Sequence, residues 1–319
     1  MRLIFILMLI FSSMTQAEDS IPTFKIGVLP FGTLNWEIRI LHTEKLDEQY
    51  RVRVETVPVA HSEAGKIALL GSRVDIIVSD WMWVAAQREQ NRAMQFQPYS
   101  TAQGALMVPA DSPIKQLSDL AHRKLGVAGG ALDKNWLLLK ALVRNKTGQE
   151  LDRITTPVFA APPLLNQQIT QGRLDAVLNY WNFAAKLEAQ GYKTLIDGAT
   201  VLEQLGFPPT LPSLGYVFNE TLAQRDTQGL NRLFAALRAA RNRICEHNED
   251  WQTVAALNEE TDPAIQSQIR ARYCAGRVLH FDENDQKEAA RLYALLHRLS
   301  TDPLTGRSEE LPTGVFWKE

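Results

Sequence analysis

The chain writes one short passage twice. "VDIIVSDWMWVAAQ" runs from Val74 to Gln87, and "LDAVLNYWNFAAKL" runs from Leu174 to Leu187. Asp75 matches Asp175, Trp81 matches Trp181 and Ala85 matches Ala185, each pair one hundred residues apart. Each copy reads as a short apolar strand, an aromatic loop and a helix. A second pair widens the repeat: "KIGVLPFGTLNW" (25–36) is similar to "KLGVAGGALDKNW" (124–136), with Asn35-Trp36 and Asn135-Trp136 again one hundred apart. Solenoids need shorter periods and more copies. Two similar α/β lobes are the simplest architecture that satisfies the repeat.

Short apolar runs alternate with helical patterns through both regions. Strands are expected at 25–29, 51–59 and 74–79, with helices at 36–50, 63–71 and 84–92. The plan returns with strands at 104–109, 124–128 and "LDAVLN", and helices at 136–148, "PPLLNQQITQG" and "FAAKLEAQG". Ser112-Pro113 reads as a helix start, with Ser as N-cap and Pro at the first helical position. This alternation predicts a mostly parallel, doubly wound sheet in each lobe. After the bend "GFPPTLP" and a strand at 213–219, apolar residues at i, i+3 and i+4 predict a mainly helical remainder.

The start "MRLIFILMLIFSSMTQA" has one early Arg, an apolar run and a small-residue cleavage pattern, so 1–17 is expected to be a cleaved signal peptide. The run is shorter than the roughly 20 residues a spanning helix needs. Loss of Arg2 with this leader takes the formal net charge from −2 to about −3, which excludes the strongly basic surface of a nucleic-acid binder. An exported chain with two cysteines, Cys245 and Cys274, can hold them as a disulfide or as free thiols. The six His show no metal-ligand spacing, and no metal or cofactor is expected. Phosphate-loop, nucleophile-elbow and zinc-protease motifs are missing. Ser112–Lys115 and Lys146–Gly148 match two β-lactamase elements, but the middle element is absent and the two are too close together. No enzymatic activity is expected.

In open α/β sheets, ligands sit beyond the carboxyl ends of the strands. Four loops qualify: 30–36, 79–83, 129–136 and 179–183. They hold five of the seven Trp, namely Trp36, Trp81, Trp83, Trp136 and Trp181. Burying one such ring is worth roughly 4–6 kcal/mol, so the five either line a ligand pocket or cover the sheet ends. Trp83 and Trp136 begin helices, which favours the structural role for them. Candidate ligand-binding residues are Phe31, Asn35, Trp36, Ser79, Asp80, Trp81, Gly130, Asp133, Lys134, Asn135, Asn179, Tyr180, Trp181 and Asn182. Asn35, Asn135 and Asp133 read equally as helix N-caps. Helix N-termini favour an anionic ligand group and Asp80 a cation or donor, so the ligand's charge stays open.

The segments "KIGVLPFGTLNW", "LLGSRVDIIVSD", "VPADSPIKQLSDLAHRKLGVAGG" and "QGRLDAVLNYWNFAAKLEAQG" resemble the periplasmic substrate-binding proteins of ABC importers, in the nitrate, taurine/sulfonate and thiamin-precursor group. "DSPIKQLSDLAHRKLGV" is the most specific, with His122-Arg123 where the family commonly has Gly-Lys. The resemblance covers about residues 24–255. It implies a type II two-lobe fold with a ligand cleft between the lobes: lobe 1 from 18–99 plus 222–319, lobe 2 from 100–221, with crossovers near 99–101 and after Asn219. It also implies a periplasmic monomer that closes on a small molecule and docks on a membrane permease. "GGALDKNWLLL" with "NYWN" resembles a branch associated with quinoprotein alcohol dehydrogenase systems. That implies a flat ligand such as pyrroloquinoline quinone, stacked on Trp and Tyr, with Lys134 or Arg39 meeting its carboxylates. A thiamin-precursor pyrimidine or a sulfonate is the alternative. A sensor or ligand-transfer protein, or an enzyme on the same fold, is the alternative of another class.

Overall fold

The computed structural model describes residues 20–212, 214–258, 261–299 and 308–318. The expected leader, 1–17, lies outside them. Among the described residues no helix is long and apolar enough to cross a membrane.

Ten strands build two five-stranded sheets: β1 (Thr23–Val28), β2 (Arg53–Pro58), β3 (Ile76–Asp80), β4 (Met94–Ser100), β5 (Ala105–Val108), β6 (Lys124–Ala128), β7 (Thr156–Ala160), β8 (Ala176–Asn179), β9 (Lys193–Asp197) and β10 (Leu214–Asn219). The orders are β2-β1-β3-β10-β4 and β7-β6-β8-β5-β9. Both follow one pattern: the second, first, third, inserted and fourth strands of a lobe. The repeat in the sequence is therefore a repeat in topology.

Each sheet is mixed. Four strands share a direction, and the inserted strand runs against its two neighbours. Each inserted strand, β5 or β10, is the one reached directly from the other lobe. No strand–helix–strand return precedes it, so the rule that makes such units parallel does not act on it. Because β10 lies in the first sheet, residues 214–219 belong with lobe 1. The return crossing therefore falls between helix Gly198–Gln204 and β10, before Leu214 and not after Asn219 as expected.

The matched aspartates do matched work. Asp75 Oδ2 accepts the N–H of Lys25 at 2.8 Å, and Asp175 Oδ2 accepts that of Lys124 at 2.7 Å. Each satisfies a backbone donor of the neighbouring strand, β1 or β6. Ala85 and Ala185 are both fully buried where their helices pack. Gly126 is closely packed: a Cβ there would lie 2.7 Å from Leu174 Cδ1.

One local expectation fails, and one strand is added. Ser112 does not cap a helix. Its Oγ accepts from Ile114 N in a tight turn, and the helical turn comes later, at Leu117–Leu120, in a capping box of Gln116 and Asp119. β4, "MQFQPYS", is not among the strands expected from sequence. It forms because β10 pairs along one side. On its other side, Phe96 exchanges backbone hydrogen bonds with Val315 and Trp317.

The C-terminal third is helical, as the periodicity predicts. Cys245 and Cys274 form a disulfide joining helix Thr227–Glu246 to helix Pro263–Ala275. Helix Glu283–Leu299 packs on helix Lys134–Thr147 of the second lobe, where Arg144 Nη1 donates to Leu299 O at 2.7 Å.

Candidate functional site

The carboxyl ends of β1, β3, β6 and β8 converge on a cavity of about 260 Å³ with walls from both lobes. This sits near the lower end of the usual range for small-molecule sites, about 300–1,000 Å³. Phe31, Ser79 and Asp80 line it from the first lobe; Gly130, Asp133, Lys134, Asn135, Tyr180, Trp181 and Asn182 line it from the second. All ten are among the residues singled out from sequence.

Most polar groups here are held by one another. Asp80 Oδ1 accepts from Trp83 N at 2.8 Å and caps helix Trp81–Glu89. Asp133 Oδ1 accepts from Asn135 N at 2.9 Å and caps helix Lys134–Thr147, and it also takes Asn135 Nδ2 at 3.1 Å. The capping reading is thus right for Asp133. Asn135 serves differently: its Oδ1 accepts from Gly104 N in the first crossover at 3.1 Å. Lys134, only 5 % exposed, donates to Gln103 Oε1 at 2.9 Å and more weakly to Asn135 Oδ1 at 3.4 Å.

Burial dominates the titration of this cluster. It pushes the Asp133 carboxyl above its ordinary value, and Lys134 opposes that rise. It pushes the Lys134 ammonium below its ordinary value, against the pull of Asp133 and Asp80. Burial, then the neighbouring Asp133 charge, hold the Tyr180 hydroxyl well above its usual range. Gly129, at φ +86°, lets the loop pass this cluster; a Cβ there would lie 2.7 Å from the Tyr180 hydroxyl. Helix Trp181–Ala189 has no side-chain cap, so its first N–H groups and its dipole add positive potential at the cavity.

Four candidates lie elsewhere. Asn35 donates to the carbonyls of Leu29 and Gly32 and fixes the β1 loop. Trp36 is a core ring, 3 % exposed, edge-on to Trp181 and Trp251. Trp81 is fully buried, and its Nε1 donates to Pro212 O in the return crossing at 3.1 Å. Asn179 is consumed by Pro162 O, Asn166 Oδ1 and Tyr180 N. Arg39 is exposed on helix Leu34–Thr43 and is not part of the lining. Trp136 is also core, at 1 % exposure. Of the five loop tryptophans only Trp181 lines the cavity; Trp36, Trp81 and Trp136 are core rings and Trp83 is partly buried against the core.

Sequence reading missed Tyr99, Glu63 and Lys66, which also line the cavity. Tyr99 is the next-to-last residue of β4, and its hydroxyl pairs with Thr33 Oγ1 at 3.2 Å. Glu63 and Lys66 form an i,i+3 ion pair at 2.8 Å, and Lys66 Nζ lies 5.5 Å from the centre of the Trp83 ring. They sit on the helix after β2. The signal was a third strand end in the same sheet, with a helix start beyond it.

Two lobes of identical strand order, two crossing segments and a cavity between them define the type II periplasmic binding-protein fold. Residues 96–250 are similar to the family described as NMT1/THI5 like. No curated protein sequence matches the chain. Among solved structures it resembles the alkanesulfonate-binding protein of Xanthomonas axonopodis pv. citri, solved bound to MOPS. That likeness has 15 % identity and a TM-score of 0.72, over 92 % of this chain and 98 % of that one. The periplasmic aliphatic sulphonate binding protein of Escherichia coli aligns at 15 % identity and TM-score 0.67, over 91 % and 97 %. The periplasmic nitrate-binding protein of Synechocystis aligns at 13 % and 0.59, over 79 % and 69 %.

Proposed function

We propose that this chain is the periplasmic solute-binding component of an ABC import system, which captures one small molecule between its lobes and delivers it to a membrane permease. The observation that carries this reading is the cavity, walled by matched loops of both lobes. Such a site changes shape when the lobes move, which is what capture and release require. The polar side chains support holding a solute rather than transforming it, because Asp80, Asp133 and Asn135 are each engaged in capping or bracing the backbone.

The lining favours a compact aromatic or heterocyclic ligand. Trp181, Tyr180, Tyr99 and Phe31 offer ring faces and edges. Three carboxylates, Glu63, Asp80 and Asp133, stand against two ammonium groups, Lys66 and Lys134. That balance suits a ligand with hydrogen-bond donors or little net charge, such as a pyrimidine. It supports a polyanion of the pyrroloquinoline quinone type poorly, because three carboxylates line the same space and Lys66 is already paired with Glu63.

Mass spectrometry of small molecules released from the freshly purified, denatured protein tests this directly. A stoichiometric aromatic or heterocyclic compound is expected, and it should raise the melting temperature when added back. Recovery of an aliphatic sulfonate would refute the ligand class. A solute consumed on incubation with the protein would refute the binding role.

A further inference from the structure

Glu37 follows Trp36 on helix Leu34–Thr43 and is completely buried. Its carboxylate takes four donors. Oε1 accepts Arg241 Nε at 2.8 Å and the Tyr273 hydroxyl at 2.7 Å; Oε2 accepts Arg241 Nη2 at 3.1 Å and the Tyr216 hydroxyl at 3.0 Å. Apolar residues of equal volume would hold such a space at little or no loss of stability. What an ion network adds is directional geometry at its ends. Here both ends are cavity walls, while Glu37, Arg241 and Tyr273 are not part of the lining.

At one end, Arg241 donates Nη1 to the Tyr99 carbonyl and lies 4.1 Å from the centre of the Tyr99 ring. Tyr99 faces the cavity just before the chain leaves the first lobe. At the other end, the Tyr273 ring packs 5.1 Å from Trp36 and 6.3 Å from Trp181, the cavity wall of the second lobe. The helix carrying Tyr273 touches the crossing as well. Gly276 O, just past its end, accepts from Thr101 N at 3.0 Å and Ser100 Oγ at 3.3 Å. Gln268 and Arg272 of the same helix hold Glu188 of the second lobe. The Cys245–Cys274 disulfide ties this helix to the one that carries Arg241.

We propose that Glu37, Arg241 and Tyr273 form a positioning knot for the binding cleft, which sets Tyr99 and Trp181 from behind and thereby the placement of one lobe on the other. The inference rests on the cavity being the solute site. Its test uses hydrogen–deuterium exchange on the ligand-free, oxidised mature chain, comparing wild type with Tyr273→Phe, which removes a single hydroxyl and keeps the ring. Loss of one hydrogen bond to a charged group should speed local opening about tenfold or more. The faster amides should be confined to 99–104 and 181–184, with β6 and helix Lys134–Thr147 unchanged. Arg241→Lys, which keeps the charge but loses the fork and the stacking, should speed 99–104 most. Acrylamide quenching of Trp181, taken as the difference from Trp181→Phe, should rise in both variants. Uniform acceleration across both lobes would show a merely structural role and overturn the proposal, as would unchanged exchange at both cavity walls. Neither readout needs a solute, so a chain that carries none leaves this test intact.

Discussion

Trp81 and Trp181 are the same residue written twice, and the structure gives them opposite jobs. Trp81→Phe keeps an aromatic ring in the core but removes the Nε1–H that bonds Pro212 O at 3.1 Å. The lost bond is worth about 1 kcal/mol, and the carbonyl left unpaired in a buried place adds about 1–2. The smaller ring leaves a void costing about 1 more. The expected loss is about 3–4 kcal/mol, or roughly 5–10 °C in a chain of this size. Below the melting transition, affinity for the solute recovered from wild type should stay within about threefold, since Trp81 does not reach the cavity. Trp181→Ala should do the reverse. It removes a cavity wall, so affinity should fall by about 1–3 kcal/mol, by analogy with stacking on aromatics. Its stability loss should be the smaller one, because the Trp181 ring is only partly buried. Thermal unfolding by circular dichroism and titration calorimetry measure the two quantities separately. If Trp81→Phe loses affinity at unchanged melting temperature, or Trp181→Ala binds normally, the division between core ring and wall ring is wrong.

Three further outcomes follow from particular residues. Burial holds the Lys134 pKa below its ordinary value of 10.5, so the unfolded chain binds the extra proton. Wild-type stability should therefore rise with pH from the depressed value towards 10.5; Lys134→Met should flatten that rise in denaturant titrations and weaken solute binding at least about tenfold. The Cys245–Cys274 bridge spans a sequence separation of 29 residues, so replacing both by Ser should cost about 3–4 kcal/mol on loop entropy, read as a lower denaturation midpoint. Trp317, 8 % exposed against Phe218 and Phe234, should cost about 3–5 kcal/mol as Ala, and a melt unchanged by this substitution would show that the C-terminal segment is dispensable.

The repeat made the lobes legible because strand–helix alternation is a short-range pattern, and the Asp latch and the buried Ala recur at matched positions in both copies. A Lys-x-Gly-Val strand and an Asp about fifty residues on recur because each lobe repeats the same closely packed Gly and the same satisfied backbone donor, so the second copy marks contacts that one copy alone would hide. The site was legible at the level of loops for the same reason: strand ends can be counted. Individual side chains were not, because a loop residue faces inward or outward according to contacts far away in sequence. Trp81 turns into the core because Pro212, 131 residues on, offers a carbonyl there. Trp181, in the matching position, meets Trp36 and Tyr273 from the other lobe and stays at the cavity. β4 and the return crossing were hidden likewise, since β4 is completed by β10 on one side and by residues near the C-terminus on the other.

This divergence within symmetry bears on how the cleft works. Two lobes built alike would offer a ligand two like walls. Here the first lobe brings Phe31, Ser79, Asp80 and the Glu63–Lys66 pair, and the second brings a buried Lys134–Asn135–Asp133 cluster beside Tyr180 and Trp181. Lys134 is also bonded to Gln103, which lies in the first crossing. A ligand that draws on the Lys134 ammonium therefore competes with a hydrogen bond made by the hinge itself, and its arrival changes the forces on the segment about which the lobes turn. A ligand held by the aromatic faces alone exerts no such pull. On the proposed reading, a solute that reaches Lys134 and one that merely fills the space should therefore close the lobes to different extents.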